Sequence, residues 1–264
     1  MVIGFIGLGN MAKALIGGIL SGGLAAPEDI IGSAATKETR ERVADQFGIC
    51  TDKSNAQVAR EADILILAVK PQFFPVVLED ILGEVSEKTL IISLAAGKTI
   101  KWISENFSFP AKIIRCMPNT PALVGAGCTA LCRNENVTDE ELASAMHILS
   151  ACGMAEVVSE TLMDTVVGVS GSSPAYVFMF IEAMADAAVK GGMKRQQAYR
   201  FAAQAVMGSA KLMLESGKLP AELKDMVCSP AGTTIEAVEV LEKGGFRGLV
   251  MEAVDAASEK SSRM

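Results

Sequence analysis

At 264 residues the chain has room for one large or two ordinary domains, so neither disulfides nor metal is needed to hold its core. Half of it is hydrophobic and 21% charged, which excludes intrinsic disorder, while 5% aromatics beside 14 Met and 24 Gly point to helices packed through small side chains. The net charge of −7 disfavours nucleic acid as a partner.

The first segment, 1–25, has the small apolar composition of a secretory leader. It lacks a basic start and carries Asn10 and Lys13, so no cleavage is expected. Short apolar runs at 2–6, 30–33, 64–69, 90–94 and 113–117 have the length and composition of strands, and amphipathic stretches separate most of them. That alternation predicts an α/β domain with a doubly wound parallel sheet. Runs at 127–132 and 155–158 extend the sheet around a helix opened by a capping box, Thr138 to Glu141. After 159 the strands stop. Helical periodicity fills 173–190, 194–216, 221–227, 233–242 and 246–260, with a frayed tail after Ala257. The expected domains are therefore 1–159, an α/β sheet domain, and 160–264, an all-α unit. The stretch 175–193 is apolar enough for a membrane span, but Glu182, Asp186 and Lys190 mark one polar face, so it reads as a buried amphipathic helix and no membrane is expected. The broad apolar stripes of these helices predict at least a homodimer.

The six cysteines form no Cys-x-x-Cys pair and the single His147 lies on an amphipathic stretch, so no metal site is expected. Cys50 and Cys116 read as small core residues of a reducing compartment, which fits the cytoplasm.

Gly7-Leu8-Gly9-Asn10-Met11-Ala12 follows the first strand and opens a helix, the Rossmann-type G-x-G-x-x-A fingerprint. Gly7 permits the tight turn, Gly9 lets backbone N–H groups approach a pyrophosphate, and Ala12 keeps helix and sheet close. NAD enzymes usually carry an acid at the end of the second strand. Here the stretch is Ser33-Ala34-Ala35-Thr36-Lys37, and Ser33, Thr36, Lys37 and Arg40 can serve a 2′-phosphate, so NADP(H) is favoured with NAD(H) as the alternative. Thr36 also suits a helix cap with Lys37 in solvent. Three other stretches follow strands and so face the same crevice: Ala68-Val69-Lys70-Pro71, Ala95-Ala96-Gly97, with room for a flat nicotinamide, and Met117-Pro118-Asn119-Thr120-Pro121.

No nucleophile elbow or catalytic histidine is evident, and hydride transfer needs few protein groups because the cofactor carries the reactive atom. Positioning falls to two helix starts: Ser170-Gly171-Ser172-Ser173-Pro174, with Ser173 as cap, and Ser229-Pro230-Ala231-Gly232-Thr233-Thr234, a nest of N–H groups for a carboxylate.

At these residues the chain resembles pyrroline-5-carboxylate reductase, the last enzyme of proline biosynthesis. The likeness runs in order through Gly4-Phe5-Ile6-Gly7-Leu8-Gly9-Asn10-Met11, Ala68-Val69-Lys70-Pro71, Ser93-Leu94-Ala95-Ala96-Gly97 and Arg115-Cys116-Met117-Pro118-Asn119-Thr120-Pro121. It continues through Ser170-Gly171-Ser172-Ser173-Pro174-Ala175-Tyr176 and Leu223-Lys224-Asp225 to Ser229-Pro230-Ala231-Gly232-Thr233-Thr234-Ile235. The resemblance implies a Rossmann domain followed by a helical dimerisation domain, dimers often assembled in rings of five, and a site between cofactor and helical domain completed by a second subunit. It implies cofactor contacts at Ile6, Gly7, Leu8, Gly9, Asn10, Met11, Ser33, Asn55, Lys70, Ala95, Ala96 and Gly97. It also implies substrate contacts at Thr233 and Thr234, with Thr234 bonding the ring nitrogen; Glu160 occupies a position of the same kind. The expected reaction is hydride transfer from NADPH to the imine carbon of 1-pyrroline-5-carboxylate, giving L-proline, with Ser229 to Thr234 holding the carboxylate. The family pattern has two glycines after Pro230, whereas this chain has Ala231, which would cost roughly 1 kcal/mol if its φ is positive. The rival is a β-hydroxyacid dehydrogenase-like NADP oxidoreductase, which needs a catalytic lysine on a second-domain helix; Lys190, Lys194 and Lys211 lack that family's surroundings.

Overall fold

The computed structural model describes residues 1–51 and 53–264. Seven strands form one sheet: β1 (Ile3–Ile6), β2 (Ile30–Ser33), β3 (Ile64–Leu67), β4 (Leu90–Ser93), β5 (Lys112–Met117), β6 (Gly127–Arg133) and β7 (Gly153–Val157). Their order is β2-β1-β3-β4-β5-β6-β7. The first five run parallel, β6 is antiparallel to β5, and β7 is parallel to β6. Every residue of β1 to β4 is buried, as near-continuous apolar strands must be when helices cover both faces. Alternation divides the core into two layers: Phe5, Ile64 and Ile66 pack with Leu15 and Ile16, while Ile6, Leu65 and Leu67 pack with Phe74 and Leu78.

The sheet is wrapped by α1 (Asn10–Ser21), α2 (Lys37–Phe47), α3 (Asn55–Glu61), α4 (Phe74–Ile81), α5 (Ile100–Ser104) and α6 (Asp139–Ser150). Four of them start on a hydroxyl: Thr36, Ser54, Thr99 and Thr138 accept from the N–H of Thr39, Gln57, Trp102 and Glu141. The capping box read from Thr138 and Glu141 is present. Strand order reverses between β1 and β3, so the crevice expected for a ligand opens above their C-terminal ends.

The remaining helices are α7 (Met163–Val166), α8 (Ser173–Lys190), α9 (Arg195–Ser216), α10 (Pro220–Val227), α11 (Thr233–Lys243) and α12 (Phe246–Ser262). Compact packing yields one unit of residues 1–172 with 256–264 and a second of 173–255. The segment 160–172, grouped with the helical domain on sequence, thus packs with the sheet: Met163 is buried in one of its core layers. The expected frayed tail is instead anchored, because α12 continues to Ser262 and buried Ser261 donates to Asp164 Oδ1 at 2.6 Å.

Within the second unit α8 packs on α9, the Arg195 guanidinium pairs with Asp186, and the Tyr176 hydroxyl donates to the Ala253 carbonyl at 3.3 Å. The helix expected to be buried is largely uncovered in the single chain. Ala185 is the buried residue of α8, whereas Val177, Phe178, Met179, Phe180 and Met184 are exposed. The helical run 160–190 meets the length and composition of a membrane span, yet Glu182, Asp186 and Lys190 stand exposed along it. Cys50 also departs from expectation. It follows the sheet edge at an isolated bridge to Ile31 and is exposed, while burial pushes the Cys116 thiol well above its usual range.

Candidate active site

The turn from β1 to α1 is built by its glycines. Gly7 has φ 93° and its N–H donates to the Ser33 carbonyl at 3.0 Å, tying the ends of β1 and β2. A Cβ there would lie 2.7 Å from Val69 Cγ1 and 3.0 Å from the Ala68 carbonyl, so only glycine fits. Gly9 is different. Its φ is −75°, and a Cβ would meet nothing within 4 Å, so the space above it is open. Gly9 caps α1 without a side-chain bond, and the first N–H to close onto the helix is that of Lys13, donating to the Gly9 carbonyl at 3.0 Å. The N–H groups of Asn10, Met11 and Ala12 have no intrahelical acceptor and point where an anion would sit. Ala12 and Leu8 are buried beneath them, holding the helix on the sheet. This cradle, which a Cβ at Gly9 would fill, fits a dinucleotide pyrophosphate.

Beside it lies a cleft of about 540 Å³ bordered by Ile6, Gly7, Ser33, Ala34, Ala35, Asn55 and Val69. The Ser33 hydroxyl donates to Asn55 Oδ1 at 2.6 Å, and Asn55 Nδ2 donates to Asp80 Oδ2 at 2.9 Å. Arg40 donates to the Ala34 carbonyl at 2.6 Å, closing the loop after β2. Thr36 takes the capping role and Lys37 lies in solvent 3.3 Å from Glu41; neither borders the cleft. Lys53 and Asp80 do border it, and sequence reasoning missed both, because they come from loop and helix positions with no local motif.

The other crevice stretches fall at the same sheet edge. Ala68 N–H donates to the Ile6 carbonyl at 2.8 Å, and Pro71 opens a single 3₁₀ turn with exposed Lys70 as its cap. Ala95 is buried and Gly97 has φ 73°. A Cβ on Gly97 would stand 2.7 Å from Met264 Cβ, so the space beside this glycine, read as room for a nicotinamide, borders the last residue. Asn119 locks the following loop, accepting from Cys128 N–H at 2.8 Å and donating to the Ser170 carbonyl at 3.0 Å.

Glu160, expected among the substrate contacts, has structural partners within this chain. Its Oε1 accepts from the Ile100 N–H at 2.8 Å and from Arg115 at 3.1 Å, so it caps α5 and neutralises a buried guanidinium. Ser173 is not a helix cap. A π-helical turn, Val167–Gly171, carries α7 into α8, with the Ser172 N–H donating to the Val167 carbonyl at 2.7 Å, and Ser173 is already the first residue of α8.

In the second unit, Gly232 N–H donates to the Ser229 carbonyl at 3.0 Å across Pro230 and Ala231, and Ala231 has φ 56°. Proline second and positive φ third are the marks of a type II turn. A Cβ on Gly232 would collide with Ser229 Oγ. Gly232 caps α11 without a side-chain bond, leaving the N–H groups of Thr233, Thr234 and Ile235 without intrahelical acceptors. Thr234 is half-buried and Thr233 and Ser229 are exposed. Among the described residues no group of three metal-ligating side chains occurs.

Comparison with known proteins covers both units. Residues 160–264 match the family model described as pyrroline-5-carboxylate reductase dimerisation, and residues 2–97 match that of the coenzyme F420-dependent NADP oxidoreductases. The pyrroline-5-carboxylate reductase of Escherichia coli K12 is 53% identical over 262 residues, 99% of this chain and 97% of that one. That of Methanosarcina acetivorans is 44% identical with the same coverage. The crystal structure of the Plasmodium falciparum pyrroline carboxylate reductase with NADP bound superposes with TM-score 0.90 at 35% identity, covering 100% of this chain and 97% of that one.

Proposed function

The chain belongs to the pyrroline-5-carboxylate reductase family and is an NAD(P)H-dependent oxidoreductase, and on that premise we propose how its residues reduce 1-pyrroline-5-carboxylate to L-proline. The cradle at 229–234 carries the reading: three unpaired N–H groups behind a strained turn suit a carboxylate, and a hydroxyl stands beside them. Bound NADPH supplies the hydride that saturates the imine carbon.

The chain's own work is positioning. The N–H groups of Asn10, Met11 and Ala12 hold the pyrophosphate, and Ser33, Asn55 and Arg40 border the adenosine end. Thr36 and Lys37 act there only at longer range, while Lys70, Pro71 and the Ala95-Ala96-Gly97 turn border the nicotinamide end. Ser229, Gly232 and Thr233 bind the substrate carboxylate. Thr234 Oγ1 hydrogen-bonds the ring nitrogen, orienting the imine and holding the proton that the product amine retains. A protonated imine is electrophilic enough to need no stronger acid.

NADPH is the preferred donor in this reading, since no carboxylate ends β2 and Arg40 lies within the cleft; NADH is the second choice. Homodimers, assembled into rings of five, would cover the exposed apolar side chains of α8. Six unpaired thiols support a cytoplasmic setting.

Purified protein mixed with NADPH and the cyclic imine should consume NADPH and yield proline. Consumption absent with the imine, or cofactor reduction when NADP is mixed with β-hydroxyacids, overturns the reading in favour of the dehydrogenase rival. A Lys37→Glu variant with a weaker preference for NADPH would support the long-range role of that cation.

A further inference from the structure

The cleft at the adenosine end contains a carboxylate that the end of β2 does not supply. Asp80 projects from α4, and its Oδ2 accepts from Asn55 Nδ2 at 2.9 Å. That bond fixes the amide of Asn55, whose Oδ1 in turn takes the Ser33 hydroxyl proton at 2.6 Å. With that proton committed to Asn55, Ser33 Oγ is left an acceptor only, and the Asp80 carboxylate, whose second oxygen is a further acceptor, borders the same cleft. Acceptors suit the hydroxyls of an unmodified ribose, which donate; a 2′-phosphate offers only acceptors and negative charge. Of the cations bordering the cleft, Lys53 is paired with Glu61 at 2.7 Å, whereas Arg40, bonded to the neutral Ala34 carbonyl, keeps its charge and favours a phosphate, so Asp80 acts against it.

We propose that Asp80, acting on the cleft directly and through Asn55 and Ser33, is the residue that sets the balance between NADPH and NADH. Its charge holds NADPH affinity down and keeps NADH binding open. This rests on the cofactor reading given under Proposed function. Asp80→Asn keeps an oxygen for Asn55 Nδ2 while removing the charge, so the hydrogen-bonded chain survives and only the electrostatics change. Asp80→Glu keeps the charge.

The test is direct equilibrium binding, by calorimetry, of NADPH and of NADH to the full chain without imine. In Asp80→Asn the ratio of NADH to NADPH dissociation constants should rise about three- to tenfold, the order expected for removing one like charge from the neighbourhood of a phosphate in a solvent-open cleft. The gain should shrink at high salt, and Asp80→Glu should keep the wild-type ratio. An unchanged ratio in Asp80→Asn, or a shift toward NADH, overturns the inference while leaving the cofactor reading standing. Wild-type protein that binds neither dinucleotide overturns both.

Discussion

Arg115 and Glu160, 45 residues apart, meet at 3.1 Å with the arginine side chain only 6% exposed, so the carboxylate holds a buried cation that has no water to fall back on. The same oxygen caps α5 through the Ile100 N–H. Breaking one partner of a buried pair strands the other. Glu160→Gln should therefore destabilise the protein by about 2–4 kcal/mol in urea unfolding, less than a fully buried pair would lose because Glu160 is one-third exposed. A normal unfolding midpoint with a raised KM for the imine would instead place Glu160 among the substrate contacts.

The two glycines of the β1–α1 turn should separate folding from cofactor binding. Gly7 is held at φ 93° against Val69 and Ala68, so Gly7→Ala strains the folded chain and should cost about 2 kcal/mol or more. Gly9 has an ordinary φ and open space, so Gly9→Ala should unfold like the wild type or slightly later. Its methyl group would occupy the phosphate position, and NADPH affinity should fall about tenfold or more. Equal affinity in Gly9→Ala would show that the pyrophosphate does not sit on this cradle.

Ala231 is the one non-glycine residue with positive φ among those described, and it stands where the family pattern has glycine. Ala231→Gly should raise stability by about 0.5–1 kcal/mol, the relief of the left-handed strain less the added freedom of the unfolded chain. Gly232→Ala should do the opposite, since its Cβ would collide with Ser229 Oγ. Thermal unfolding of the two variants checks both signs. A destabilised Ala231→Gly would mean that the alanine side chain makes packing contacts outweighing the turn.

The strands and the long helices were legible because each is written locally. Residues 30–33 and 173–190 coincide with β2 and α8 to the residue, the first from a continuous apolar run and the second from periodicity bounded by Pro174 and Gly191. What escaped is what joins distant positions. Asp80 meets Asn55 across 25 residues, Glu160 meets Arg115 across 45, and Ser261 meets Asp164 across 97, and no local period records such pairings. The Ser, Lys and Arg after Ala257 look solvated for the same reason, although one serine is buried. The π turn before α8 was hidden by Ser173 and Pro174, a pair that signals a helix start equally well whether the preceding turn is open or already helical.

In the proposed reading, Thr234 carries the chemistry assigned to the cradle. It lies in the first turn of α11, half-buried, and the three N–H groups beside it come from the backbone, which a side-chain change leaves in place. Thr234→Ala should therefore keep carboxylate binding and NADPH affinity while losing one hydrogen bond to the ring nitrogen. That bond is worth about 1–3 kcal/mol in the transition state, a fall of about 10- to 100-fold in kcat/KM. Thr234→Ser restores a hydroxyl on the same carbon and should recover most of the rate. If both variants turn over like the wild type, the nitrogen is oriented by another group. If serine fails as alanine does, the threonine methyl, not its hydroxyl, is what the reaction requires.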